Sequence, residues 1–219
     1  MTRVVWNEVG KHFYETGVDR GMVYPQDAGA YPKGVVWNGL TSVSEKPTGA
    51  EATPVYAGNI KYLNLLSKEE FAATVEALTY PDEFAECDGS AEMAPGVKLG
   101  QQPRKPFGMS YRTFIGNDTE KTNHGYYLHI IYGAYAAPSE KSYSTINETP
   151  DTTTFSWELT TTPVSVTGYE PTASVTIDSR TISAANLEKL EDVLYGTTDK
   201  EPRLPLPDEI ASLIGENFS

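Results

Sequence analysis

One stretch limits the folds open to this chain more than any other: residues 126–135, Tyr-Tyr-Leu-His-Ile-Ile-Tyr-Gly-Ala-Tyr. Read as a strand, it puts Tyr126, Leu128, Ile130 and Tyr132 on one face and Tyr127 and Ile131 on the other, because successive side chains alternate. A strand apolar on both faces has to be covered on both sides. It belongs in a layered structure, and in a small antiparallel domain one of the covers can come from another subunit.

Other segments supply the layers. Thr153, Phe155, Trp157 and Leu159 alternate with Thr154, Ser156, Glu158 and Thr160, which predicts a strand with one buried and one wet, hydroxyl-rich face. Residues 107–115 read as a further strand, and Val164 with Val166 and Val175 with Ile177 repeat the alternation. Asn38-Gly39 between β-formers predicts a hairpin, since a type I′ turn needs positive φ at both central residues. Residues 44–54 read as a loop and 55–66 as one extended segment. Ser67 and Glu70 form a capping box, and Phe71, Val75 and Leu78 share a helical face; together they predict a helix over about residues 68–79, stopped by Pro81. Ser183 as N-cap, the stripe Leu187, Leu190 and Leu194, and Gly196 beyond predict a second helix. Pro207 opens a short third one.

The expected class is therefore mainly β or α+β: an antiparallel, sandwich-like β domain with a flanking mid-chain helix and C-terminal helices. Its parts are a flexible N-terminal arm (1–34), a β-rich body (35–183) and a helical segment (184–219) belonging to the same domain. At 219 residues the chain suffices for one core. The start of the chain shows no signal peptide, and no window is apolar enough to insert in a membrane.

The formal net charge of −13 excludes a protein that grips phosphates along its length. The charges are nevertheless segregated. Residues 69–97 hold eight acids and no Lys or Arg, whereas 95–116 hold Lys98, Arg104, Lys105 and Arg112 and no acid. Across a self-assembling interface the two blocks are natural partners, which makes Arg104, Lys105 and Arg112, with Tyr127 and Ile131, candidate inter-subunit residues.

Residues capable of chemistry are scattered. Ser110 lacks the second glycine of a nucleophile elbow. His124 and His129 straddle a loop-to-strand junction without further ligands, and Asn117-Asp118-Thr119-Glu120 lacks the spacing of a calcium loop. Cys87 sits among acids, which raises a thiol pKa. No catalytic residue, metal or cofactor is expected. Trp6, Trp37 and Trp157 are the candidates for an aromatic platform if the chain is instead a carbohydrate-binding or adhesin-like sandwich.

Several blocks, in order, resemble the major tail protein family of long-tailed phages and prophages. They are Trp37-Asn38-Gly39-Leu40-Thr41-Ser42-Val43, Tyr62-Leu63-Asn64-Leu65, Tyr80-Pro81-Asp82-Glu83-Phe84, Phe107-Gly108-Met109-Ser110-Tyr111-Arg112-Thr113 and Phe155-Ser156-Trp157-Glu158. The resemblance implies a β-sandwich-like tail tube fold and no enzyme activity. It implies hexameric rings of this chain, stacked around a tape measure protein, joined to other tail proteins and later crossed by phage DNA without specific binding. It also implies a place in the phage tail, after assembly in the host cytoplasm. Thr154, Ser156, Glu158 and Thr160 are then candidates to face the lumen.

Overall fold

The computed structural model describes residues 3–145 and 152–215, so residues 1–2 of the expected arm and 216–219 of the helical segment lie outside it. In chain order the strands are β1 (Tyr14–Pro25), β2 (Val35–Val36), β3 (Leu40–Glu45), β4 (Ala52–Ala57), β5 (Ile60–Leu66), β6 (Ala72–Ala77) and β7 (Ala91–Ala94). There follow β8 (Val97–Leu99), β9 (Phe107–Asn117), β10 (Lys121–Ala136), β11 (Phe155–Thr161), β12 (Val164–Val166), β13 (Tyr169–Thr172) and β14 (Ser174–Asp178). The helices are α1 (Ala184–Tyr195) and α2 (Pro207–Leu213).

Among the described residues, eight strands form one antiparallel sheet in the order β2-β1-β9-β10-β11-β6-β3, with β14 also paired to β10. The sheet curls until β3 at one end packs against β1 near the other, with Leu40 of β3 lying against Gly21 of β1, and the Tyr111 hydroxyl on β9 donates to Glu45 at the end of β3. Inside the curl lie Val23, Trp37, Val75, Met109, Ile131, Trp157 and Leu159. A 3-10 turn, Asp82–Glu86, drops Phe84 among them, 4.5 Å from the Trp37 ring and 5.3 Å from Trp157.

Outside the curl, α1 and α2 cover Tyr24, Leu128, Ile130 and Tyr132 with Leu190, Leu194 and Ile210. The central part of β10 is thus covered on both faces by elements of the same chain. Ser183 caps α1 through Asn186, Gly196 ends it at φ 79°, and Pro207 opens α2, as the local signals predict.

β10 serves two neighbours in turn. Tyr127 to Ile131 pair with β14, and Ala134 to Ala136 pair with β11. The handover falls at Gly133, whose φ of +57° belongs to the left-handed region that glycine enters without strain.

Four sequence expectations are corrected. The helix predicted over 68–79 is absent; Ala72–Ala77 is the strand β6, flanked by β3 and β11. Its own alternation decides this: Ala73, Val75 and Ala77 are small enough to pack under two tryptophans, and pairing on both sides outweighs helix propensity. The capping residues work elsewhere, with the Ser67 hydroxyl accepting the Glu51 amide and the Glu70 amide bonded to Thr48. The Asn38-Gly39 turn joins no hairpin, since β2 pairs with β1 and β3 with β6, so it carries the chain from one end of the sheet to the other. Residues 14–25 of the expected arm are β1, paired with β9 inside the sheet. Residues 55–66 are not one strand. Gly58 and Asn59, with φ of 57° and 64°, fold β4 onto β5 as a ribbon.

Candidate functional site

The groups that could do chemistry are committed to structure. Ser110 is buried in β9, within 3.1 Å of the Tyr24 hydroxyl, which donates to the Leu194 carbonyl. Cys87 is a buried free thiol pushed up to about 12, first by burial and then by Glu86. His129 stacks on Tyr111 at 4.8 Å, and burial holds its pKa below the usual imidazole value despite Glu45 and Glu15 beside it. Asn117 caps the turn at Thr119 and Glu120, while Asp118 binds the Gly10 amide and His12, tethering the N-terminal segment. No group of three or more His, Cys, Asp or Glu that could hold a metal occurs among the described residues. Trp37 and Trp157 are in the core and unavailable as a platform; Trp6 is exposed.

The acidic and basic blocks do meet, but within one chain. Lys98 reaches Asp82 at 2.5 Å, Lys105 reaches Glu86 at 2.5 Å and Arg104 reaches Asp88 at 3.3 Å. Arg112 grips Asp19 through Nε at 2.8 Å and Nη2 at 2.6 Å, between the rings of Phe114 and Tyr126. Each of the four basic residues thus has an acidic partner within its own chain. Ile131, at 1% exposure, is a core residue and cannot touch a neighbour. Tyr127 is half-buried and takes a hydrogen bond from Arg180 at 3.2 Å.

The face carrying Thr154, Ser156, Glu158 and Thr160 is open to solvent or half-covered, while Trp157 and Leu159 point inward. Register extends this face across three strands. Ser156 lies opposite Glu76, which lies opposite Ser42; Glu158 lies opposite Thr74, which lies opposite Ser44. The Ser42 hydroxyl donates to Glu76 at 2.8 Å. The result is a carpet of hydroxyls and carboxylates, with Lys46 just past its end.

The β4–β5 ribbon is an uncovered apolar surface. Tyr56, Ile60, Tyr62 and Leu66 are 67%, 66%, 69% and 73% exposed. The register puts Val55 opposite Leu63 and Thr53 opposite Leu65 on one face, with Ala52 opposite Leu66 on the other. The ribbon is thus apolar on both faces. It prolongs the β3–β6 pair through bonds from Lys46 to Ala72, Thr48 to Glu70 and Ser67 to Glu51. Sequence reading missed it because the apolar run seemed continuous; the signal was Gly58-Asn59, a turn pair of the hairpin type.

Neither a protein family nor a curated protein matches the chain. Among solved structures, one chain of the extended-state PVC sheath-tube complex of an extracellular contractile injection system aligns with a TM-score of 0.38. The identity is 12%, over 80% of this chain and 94% of that one.

Proposed function

We propose that this chain is a tail tube protein, whose copies form hexameric rings that stack around a tape measure protein and leave a conduit for phage DNA. The observation that supports it is the β4–β5 ribbon. An isolated two-stranded hairpin is marginally stable in water, and exposed apolar patches mark interaction sites. A ribbon apolar on both faces calls for a partner on each, which repeated copies of one chain provide. The resemblance of the sequence blocks to major tail proteins supplies the kind of assembly. In this reading the Ser42, Ser44, Ser156 and Glu158 carpet lines the channel, where hydroxyls and carboxylates give phosphates no cation to hold.

The test is a double substitution, Tyr62→Ser with Leu65→Ser. Wild-type chains are expected to sediment as large particles and to show rings or tubes in negative stain. The variant is expected to stay monomeric with unchanged circular dichroism, because these side chains touch no core. Normal assembly of the variant overturns the role of the ribbon, and a wild type that stays monomeric at high concentration overturns the tube. In tubes that do form, Glu158→Lys is expected to leave assembly intact and to slow DNA ejection by phage carrying it. Unchanged ejection places the carpet on the outer wall.

A further inference from the structure

Asp88, Arg104 and Lys141 converge on a cavity of about 520 Å3, whose lining includes Ser90, Gln102 and Ser139. Asp88 is saturated: it accepts from Trp157 Nε1 at 3.1 Å, Arg104 Nη1 at 3.3 Å and Lys141 Nζ at 2.5 Å. Arg104 is not. Its Nη1 also donates to the Ala136 carbonyl at 3.0 Å, but Nε and Nη2 have no acceptor among the described residues. Those two nitrogens form the edge of a guanidinium that grips a carboxylate with two parallel hydrogen bonds. Two cations against one anion leave the cavity positive in a chain of net charge −13. Among the described residues, Asp88 is the one carboxylate in its lining.

The rim adds a second observation. Ser90 precedes β7 and Gly100 follows β8, and this ribbon exposes Met93, Val97 and Leu99. An unspent guanidinium edge therefore sits beside uncovered apolar surface, the combination found where arginine anchors a protein interface. With 30 acids to 17 Lys and Arg, every copy has carboxylates to spare and few cations free to receive them.

We propose that this cavity is a socket for an Asp or Glu side chain of a second copy. The proposal rests on the reading that copies associate, and the experiment separates the two. The probe is sodium propionate, which carries the end group of a glutamate side chain, titrated against sodium chloride at constant ionic strength. The Arg104 Nε–H resonance of the monomer is expected to shift saturably with propionate and not with chloride. The same shift is expected on association with no propionate added. Arg104→Lys keeps the charge but loses the fork. Ser139→Asp tethers a competing carboxylate in the cavity. Each is expected to raise the concentration for half-association about tenfold or more while the monomer melts as before. No saturable shift with propionate overturns the socket, whether or not copies associate. A propionate shift with an unmoved Arg104 resonance in the assembled state, or with both variants associating normally, overturns the second copy as occupant.

Discussion

Replacing Trp157 by alanine is expected to remove about 3–5 kcal/mol of folding stability, a large part of the 5–15 kcal/mol typical of a domain. The side chain is fully buried and lies within ring contact of Trp37 at 5.4 Å, Phe84 at 5.3 Å and Tyr80 at 5.5 Å. These rings come from the β2–β3 turn, the 3-10 plug and the segment after β6, so no single neighbour can move in to fill the hole. Cavities whose walls cannot collapse carry the high end of the cost. The indole also donates to Asp88, which gathers Arg104 and Lys141, so the void reaches a charged cluster as well as an apolar one. Trp157→Phe keeps most of the volume and loses the hydrogen bond, and is expected to cost less than half as much. Equilibrium urea unfolding of the two variants measures both figures. A loss below about 1 kcal/mol for the alanine variant would mean that this ring cluster does not organise the core.

Gly133→Ala is expected to destabilise by about 2–4 kcal/mol, although it adds one methyl group. The residue sits at φ +57°, and a Cβ there would lie 2.2 Å from the carbonyl oxygen of Thr162. That atom is backbone, held by the bond from the Thr162 amide to the Gly133 carbonyl, and cannot swing aside as a side chain would. Relief requires β10 and the end of β11 to part, where the strand changes partners. Gly168 is the control, with φ +79° and no atom within 4 Å of the added Cβ. Gly168→Ala carries the conformational strain alone and is expected to cost about 1 kcal/mol. Equal thermal shifts for the two variants would show that the crowding at Thr162 is unimportant.

What could be read from the sequence follows the range of the forces involved. The helices α1 and α2 are announced by Ser183, Gly196 and Pro207, each acting within a turn of its own position. β9, β10 and β11 are announced by alternation. β6 was lost because Phe71, Val75 and Leu78 fit a helical spacing as well as Ala73, Val75 and Ala77 fit a strand; the deciding fact, pairing with β3 and β11, lies some thirty and eighty residues away. The charge blocks show the same limit. Their complementarity was legible, but Lys98 with Asp82 and Lys105 with Glu86 could equally have met between chains until the fold set them side by side. Of the candidate surfaces, the hydroxyl face of β11 was visible as a pattern, and its continuation onto Glu76 and Ser42 needed the register. The ribbon was hidden by two residues, Gly58 and Asn59, inside an apolar run.

The two-faced ribbon has a consequence for how free copies behave. Its attraction acts only at contact, while a net charge of −13 per copy repels over a distance set by dissolved ions. That distance is about 30 Å at 0.01 M ionic strength and about 10 Å at 0.1 M. If copies associate through the ribbon as proposed, dilute salt is expected to hold them apart, and added ions to thin the barrier until the apolar faces come within reach. Because burying apolar surface near room temperature is driven by entropy, warming pushes in the same direction. Under the proposed association, growth is therefore expected to rise with added salt and with warming.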